Sequence, residues 1–375
     1  MKSGNKIIFF LLCLEGALVS LNLAAIPAVV PKISLDLGID NFLGAKVISW
    51  YMVPYGLGAL IYAPLVKKIS IKNIKIICLS VFSIFSFVSG ISSSFKILAL
   101  SRIFAGIAAA STIPIALILI GQLFTTDTRG RFVGMFFSAT FISSFVGVLL
   151  SGFLNWRYLF IIPAIIALIS FLLVVKYFNP EEQKYNFEVN YTHLLRNKKI
   201  LVIFSYIFVL SFIYHGAYNW LGVYFNSLNM DQLKVSFLLS LVGFSGIFGQ
   251  LIGGFLTDKK GRKFSASLGL LILGLSTALL AKSFSFFYLF LVLLGFGIGW
   301  TINHNAVSTV LTDFPEKFRP EIASFNSSVR FFSGGVGVGI AGIFMKMNFQ
   351  LTYLFLGIIL VFLSMFTKRI LSEDI

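Results

Sequence analysis

Twelve long apolar runs dominate this chain of 375 residues and constrain its fold more than any other feature. A helix needs about 20 predominantly apolar residues to cross a bilayer, and each run reaches roughly that length. We therefore predict an all-α integral membrane protein with twelve transmembrane helices. The predicted spans lie near residues 7–30, 44–66, 74–94, 97–124, 132–153, 157–178, 199–226, 233–257, 264–282, 284–311, 321–345 and 349–367.

Composition supports a membrane protein over a soluble one. Hydrophobic residues make up 58% of the chain and charged residues only 12%, against about 45–50% and about 25% in soluble proteins. Cys13 and Cys78, the two cysteines, both lie in apolar runs, which excludes a disulfide-rich secreted scaffold. The first run contains Glu15 and Pro27 and lacks an A-x-A cleavage site, so we expect a retained helix rather than a signal peptide.

The net charge of +16 follows the predicted membrane topology. Of the 30 Lys and Arg residues, 21 fall in predicted loops or ends on the side of the N-terminus and 7 on the other side. Lys75 is counted among the 21. Arg102 and Arg330 lie within spans. Because short cytoplasmic loops retain an excess of Lys and Arg, we predict that both termini are cytoplasmic and that the protein lies in the plasma membrane. A nucleic-acid partner is not expected, since a basic patch would need a soluble surface.

The chain divides into two similar halves. We assign residues 1–178 to an N-terminal six-helix half, 179–197 to a polar cytoplasmic linker and 198–375 to a C-terminal six-helix half. A shift of 191 residues places Gly58 on Gly249 and Gly106 on Gly297, and a shift of 190 places Gly147 on Gly337. Such a parallel repeat, with the substrate site between the halves, is one architecture of secondary transporters.

The sharpest motif lies at the end of the eighth span and reads Gly254-Phe-Leu-Thr-Asp258-Lys259-Lys-Gly261-Arg262-Lys263. It resembles the G-x-x-x-D-(R/K)-x-G-(R/K)-(R/K) signature of the major facilitator superfamily at every defined position. Gly254 would allow close helix approach, Gly261 a tight turn, and Asp258 a hydrogen-bonded latch at the cytoplasmic end of the helices. The equivalent loop of the first half has Lys67 in place of the Asp and Ser70 in place of the Gly, so only its basic character is kept.

Three further stretches resemble elements of the same superfamily, in the expected order. They are Asn22-Leu-Ala-Ala-Ile-Pro27 in helix 1, Arg102-Ile-Phe-Ala-Gly106 in helix 4, and Gly147 to Gly152 followed by Asn155-Trp-Arg-Tyr-Leu-Phe160. The separation of Glu15 from Pro27 also resembles an arrangement in some multidrug:proton antiporters. The G-P pair that many antiporters carry in helix 5 is replaced by Leu149-Leu150-Ser151-Gly152. The resemblance therefore implies the superfamily's twelve-helix fold and transport activity, and it covers essentially the whole chain.

Ionisable side chains inside the spans are candidates for proton coupling, because they are costly in hydrocarbon. Glu15 is the one acidic residue predicted inside a span; it either exchanges protons or is held by a neighbouring helix. Arg102 either tunes a carboxylate or binds an anionic group, or it is tied to backbone carbonyls. Arg330 lies closer to the cytoplasmic end and could extend its head to the interface.

The second half carries the other candidate cavity residues. His215 and Asn219 are four residues apart on helix 7 and share a face. A histidine in a span either carries a proton or hydrogen-bonds a substrate, or it forms a hydrogen bond to a neighbouring helix. Metal-ligand spacing is absent, so no metal is expected. The candidate proton or substrate residues are Glu15, Asn22, Tyr55, Arg102, Tyr214, His215, Tyr218, Asn219, Trp300, Asn303 and His304.

These features predict a secondary transporter that moves a small amphipathic solute by alternating access. Proton-coupled efflux of drugs or metabolites is the leading expectation, and uptake of a sugar, amino acid or nucleoside is the alternative. A membrane enzyme or a sensor is the rival from another class; the sequence has no H-E-x-x-H or G-x-S-x-G motif to support catalysis. No cofactor is expected, and the chain is predicted to be monomeric in the lipid bilayer.

Overall fold

The computed structural model describes residues 3–178, 191–282, 285–312, 314 and 319–371. This part of the chain forms sixteen helices and no strand. Helices α1 to α8 are Ser3–Ala24, Ile26–Leu37, Asn41–Leu65, Ile71–Ile91, Phe95–Ala109, Thr112–Leu123, Thr126–Leu150 and Tyr158–Tyr177. Helices α9 to α16 are Tyr191–Arg196, Lys198–Tyr218, Leu221–Ser227, Gln232–Lys260, Arg262–Leu279, Phe286–Thr312, Arg319–Met347 and Phe349–Ile370.

Ten helical segments of the described residues are long and apolar enough to cross a membrane. The predicted spans at 44–66 and 264–282 are also helical, as α3 and α13, but they are not among those ten. Trp, Tyr and Pro residues make α3 less apolar, and α13 has only 18 residues and begins with two basic ones. The all-helical prediction is therefore confirmed, whereas the count of twelve spans is not settled by length and hydropathy.

Three predicted spans are broken into two helices each: the first between α1 and α2, the fourth between α5 and α6, and the seventh between α10 and α11. Pro27 and Pro114 lie just after the first two breaks, and a proline lacks the N–H that would continue the backbone bonding. At the third break, the Asn219 side chain donates to the His215 carbonyl at 2.9 Å. A side chain that hydrogen-bonds to the backbone in this way competes with the backbone hydrogen bonds of a regular helix.

Glycines at equivalent positions of the two halves make equivalent contacts. Gly58 packs on Ile107, and its counterpart Gly249 packs on Ile298. A Cβ at Gly106 would overlap the Tyr51 carbonyl. The partners are themselves 191 residues apart, so the repeat seen in the sequence is also a repeat of helix packing.

The other glycines at equivalent positions also contact equivalent residues in the two halves. Gly297 meets Val242 as Gly106 meets Tyr51, and Gly147 and Gly337 lie against Leu21 and Phe212. Close backbone approach at small residues is a main source of helix association in lipid, where the hydrophobic effect gives no preference for protein contacts. These contacts therefore join α3 to α5, α12 to α14, α1 to α7 and α10 to α15.

The two halves meet along α3 with α15, α7 with α12, and α2 with α11. We call the end of the bundle at residues 66–70 and 259–263 the basic end, and the opposite end, at residues 38–40 and 228–231, the far end. Close approaches between the halves include contacts at the far end and in the middle, and α6 also packs on α15. Ser49 donates to the Gly335 carbonyl at 2.8 Å, the Ser151 and Ser236 hydroxyls lie 2.8 Å apart, and Gly222 lies against the Pro27 carbonyl. The halves are therefore packed together at the far end.

We predict that Gly106→Ala destabilises the protein, because the added methyl group would overlap the Tyr51 carbonyl and overpacking costs about 1–3 kcal/mol. Gly134→Ala on α7 is the matched control, since a Cβ there has no neighbour within 4 Å. Thermal unfolding in detergent should show a lower Tm for Gly106→Ala only. An equal fall for both variants would mean that the contact does not stabilise the fold.

Candidate functional site

Arg102 lies in the interior of the N-terminal half and is fully buried. It donates to the side-chain oxygen of Asn22. Its guanidinium carbon lies 4.0 Å from the ring centre of Tyr51 and 5.2 Å from that of Phe160. Two aromatic faces thus offset part of the cost of burying this charge. The structure brings together the two residues predicted here, Arg102 and Asn22, and adds Tyr51, which was not among the predicted site residues.

Glu15 forms a buried ion pair with Lys75, with 2.6 Å between its Oε2 and Nζ of the lysine. Lys75 was predicted to be a loop residue, but it lies in the first turns of α4 and is 2% exposed. The prediction was wrong because a basic residue at the edge of an apolar run was assigned to solvent without knowledge of its partner. Glu15 is thus held by a neighbouring helix, as one of the two expectations had it.

A small cavity of about 10 Å³ adjoins this pair. Cys78 and Ser111 are among its lining residues, together with Glu15 and Lys75, and Oε1 of Glu15 has no hydrogen-bond partner in the described residues. Such a volume is at the lower limit for one water molecule. The pair therefore lies beside space that a proton-carrying water could enter.

The aromatic residues predicted on helices 7 and 10 form a stack in the C-terminal half. The ring of Tyr214 lies 3.6 Å from that of Trp300 at an angle of 9°, and Tyr218 stacks on Tyr214 with 5.8 Å between ring centres. His215 and His304 lie 6.2 Å and 5.7 Å from the Trp300 ring. The structure therefore brings all five predicted residues into one cluster.

Tyr55 connects this cluster to the other half of the protein. Its ring stacks on Phe331 of α15 at 3.8 Å, and its hydroxyl has no hydrogen-bond partner in the described residues. Tyr51, one turn earlier on α3, lies 6.1 Å away and covers Arg102. A row of aromatic rings therefore leads from the Arg102 region to α15.

The two predicted asparagines differ from the histidines in their surroundings. Asn303 donates to the Tyr206 hydroxyl and to the Ala266 carbonyl, both at 2.8 Å, so it ties α14 to α10 and α13. Asn219 bonds within its own helix end, to the carbonyl of His215. Both amide nitrogens have acceptors inside the protein, whereas Oδ1 of Asn303 has no hydrogen-bond partner in the described residues.

The motif at the basic end has the predicted turn but no engaged latch. Gly261 has φ of 83° between α12 and α13, a left-handed conformation that favours glycine. Ser70, which replaces this glycine in the first half, instead accepts a bond from the Asn73 N–H at the start of α4. Gly254 has no neighbour within 4 Å, so the close approach expected there is not found; Gly253 packs on Ile302 instead.

Asp258 is exposed and forms no ion pair within the described residues. Lys259 lies over the ring of Phe255 at 4.4 Å, and Arg262 and Lys263 begin α13. Asp258 and Lys259 are therefore exposed at the basic end, whereas Arg262 and Lys263 are half-buried, and the halves are joined at the far end.

Sequence comparison identifies the family to which this architecture belongs. The family model described as "Major Facilitator Superfamily" matches residues 9–337 and 226–374. The chain belongs to this superfamily. It is accordingly a multi-pass membrane protein of a transporter family.

Named relatives include efflux pumps. The chain is 30% identical over 182 residues to "Multidrug efflux pump SdrM" of Staphylococcus aureus (strain N315), covering 47% of this chain and 39% of that protein. It is 23% identical to "Multidrug resistance protein 3" of Bacillus subtilis (strain 168), covering 83% of this chain and 74% of that protein. A crystal structure of a D-xylose-proton symporter matches with a TM-score of 0.77 at 16% identity over 98% of both chains, which establishes the shared fold.

We predict that Glu15→Gln and Lys75→Met each destabilise the protein by about 3–5 kcal/mol, because each leaves a buried charge without its partner. The double variant should be more stable than either single variant, since it removes both charges. Thermal unfolding of the four proteins gives the interaction energy as a double-mutant cycle. Additive effects would mean that the pair is not coupled.

Proposed function

We propose that the protein is a secondary active transporter that exports a small amphipathic solute in exchange for protons. The observation that carries this proposal is the repeat of glycine contacts at 191 residues. It divides the bundle into two internally packed bodies, each of which can move as a unit against the other. Alternating access in such folds is largely a rocking of one repeat against the other around a central site.

In this proposal the chain crosses the membrane twelve times. Taking α1 with α2, α5 with α6 and α10 with α11 as single spans gives six before residue 178 and six after residue 198. The excess of Lys and Arg at the basic end supports a cytoplasmic location for that end and for both termini. The far-end contacts then close the exterior side, as in a transporter state that is shut to the outside.

The solute is proposed to bind between the halves, at the cluster of Tyr55, Tyr214, His215, Trp300 and His304. Stacked rings provide an apolar surface, and the imidazoles provide polar anchors. Export is favoured over uptake because one relative of the chain is named "Multidrug efflux pump SdrM" and another "Multidrug resistance protein 3". The symporter supports the fold only, and its sugar is not carried over to this chain.

The Glu15–Lys75 pair is proposed as the proton-coupling element. Protonation of Glu15 would neutralise the carboxylate and leave the Lys75 ammonium buried without its counter-ion, which is costly in a low-dielectric interior. The free energy of the protonated half therefore differs from that of the unprotonated half. Coupling to a conformational change requires that this cost differ between the transport states, and water that enters the neighbouring cavity in only one of those states would provide such a difference.

We predict that the double variant Glu15→Gln, Lys75→Met loses proton-driven accumulation but keeps substrate counterflow, because neither substitution changes a residue of the proposed binding cluster. Proton-driven accumulation is measured in proteoliposomes with an imposed pH gradient. Counterflow is measured as substrate exchange at equal pH on the two sides of the membrane. Arg157→Gln is the control: its partner Asp36 lies at the far end, at 2.8 Å.

Normal accumulation by the double variant would rule out this pair as the coupling element, and His215 and His304 would become the remaining titratable candidates. Loss of both activities would point to a structural role. Accumulation under an inverted gradient, with protons moving in the same direction as substrate, would favour uptake over export.

We also predict that Asp258→Asn slows turnover by destabilising the state in which the basic end is closed. Asp258 forms no ion pair among the described residues of this structure, in which the far end is closed. Any stabilising contact that Asp258 makes therefore belongs to the state in which the basic end is closed. A loss of about 1.4 kcal/mol would change the ratio of states about tenfold. The readout is labelling of a single cysteine in the central cavity from the basic end.

Lys67→Ala is the matched control, because Lys67 is the counterpart of Asp258 in the first half and an ammonium cannot accept hydrogen bonds. Labelling should rise in Asp258→Asn and change little in Lys67→Ala. Equal labelling of Asp258→Asn and wild type would overturn the latch.

A further inference from the structure

The two arginines buried within the helical bundle differ in what surrounds their charge. Arg102 lies beneath two aromatic rings and donates to Asn22 through Nη1, while its Nε and Nη2 have no hydrogen-bond partner in the described residues. Arg330 on α15 is 8% exposed, and Nε donates to the side-chain oxygen of Asn326 at 2.8 Å. Its Nη1 and Nη2 have no hydrogen-bond partner in the described residues. Extension of the Arg330 head to the interface was one of the possibilities for this residue, and the structure places the head inside the protein.

No described carboxylate neutralises Arg330. The ion pairs of the described residues join Lys75 to Glu15, Arg157 to Asp36 and Lys234 to Asp231. Glu321 is also on α15, but nine residues earlier, which is roughly 13 Å along the helix. A buried guanidinium without an anion is costly, so the fork at Nη1 and Nη2 is a site at which an anion would be strongly stabilised.

This open fork lies beside the aromatic cluster. Gly334, one turn after Arg330 on α15, is pressed against His215, whose Cδ2 is 2.6 Å from the position of a Cβ on this glycine. Residues four apart share a helix face, so Arg330 lies next to His215 on the side of the basic end. The charge of Arg330 acts on His215, His304 and Tyr206, none of which is acidic.

We propose that the transported solute is an amphipathic anion whose carboxylate binds Nη1 and Nη2 of Arg330 while its aromatic or apolar body lies against Trp300 and Tyr214. The inference rests on the proposed transport function and adds the charge of the substrate to it. A guanidinium fork matches the two oxygens of a carboxylate geometrically, whereas an ammonium acts only as a point charge. A lipophilic cation, by contrast, would meet an unneutralised positive charge.

The test uses the purified full chain and pairs of ligands of similar shape, in which one member is a carboxylate and the other its neutral amide. Benzoate is compared with benzamide, and indole-3-acetate with indole-3-acetamide; tetraphenylphosphonium serves as the lipophilic cation. Binding is measured by calorimetry and thermal shift for wild type, Arg330→Gln, Arg330→Lys and the control Arg157→Gln.

We expect each carboxylate to bind wild type at least tenfold more tightly than its amide. Arg330→Gln should weaken carboxylate binding at least tenfold and leave amide binding unchanged. Arg330→Lys should have an intermediate affinity, and Arg157→Gln should match wild type. If Arg330→Gln does not fold, the lysine variant and the carboxylate-to-amide ratio of wild type still decide the question.

The inference is overturned if no carboxylate binds, if the amides or tetraphenylphosphonium bind as tightly as the carboxylates, or if both Arg330 variants keep wild-type affinity. Failure of the transport proposal is a separate outcome. Carboxylates that bind through Arg330 but give no counterflow in proteoliposomes would leave the site in place and remove the transport function.

Discussion

Close contact between helix backbones at glycine is the interaction on which the rest of the structure depends. In lipid, burying an apolar side chain between helices gains little, so van der Waals contact at small residues has to hold the bundle together. Gly106 against Tyr51 and Gly297 against Val242 fix α5 on α3 and α14 on α12 at the same register. The register in turn positions the buried charges and aromatic rings, because each helix can rotate or slide little once a carbonyl occupies the space of a missing side chain.

Much of this fold could be predicted from the sequence. Apolar runs of bilayer length located the helices, and glycines at a shift of 191 residues located the repeat, because both signals are carried by residue types that allow few alternatives. The tight turn at Gly261 was also readable, since the motif demands a residue that tolerates positive φ. The aromatic and histidine cluster was predictable as a set. Polar side chains within membrane-spanning helices are costly in contact with lipid and therefore face the interior of the bundle, where the polar and aromatic residues of α10 and α14 meet.

Partners of single side chains were harder to predict. Lys75 looked like a loop residue because it stands at the edge of an apolar run, and only the packing of α4 on the first helix region places it beside Glu15. Arg330 looked able to reach the surface for the same reason. Asn303 and Asn219 were grouped with the site although their amides serve helix contacts. Sequence position carries little information about the pairs of Lys75 with Glu15 and of Asn303 with Tyr206, whose members are 60 and 97 residues apart.

Both members of the Glu15–Lys75 pair belong to the same half of the protein. A rigid rotation of that half leaves every internal distance unchanged, so the separation of 2.6 Å is the same in all states that such a rotation generates. The carboxylate can therefore sense the transport cycle only through changes in the solvent that reaches the neighbouring cavity. An infrared band assigned to the Glu15 carboxyl group would consequently follow the entry of water into this cavity, and it should change between transport states only if water enters there in one of them.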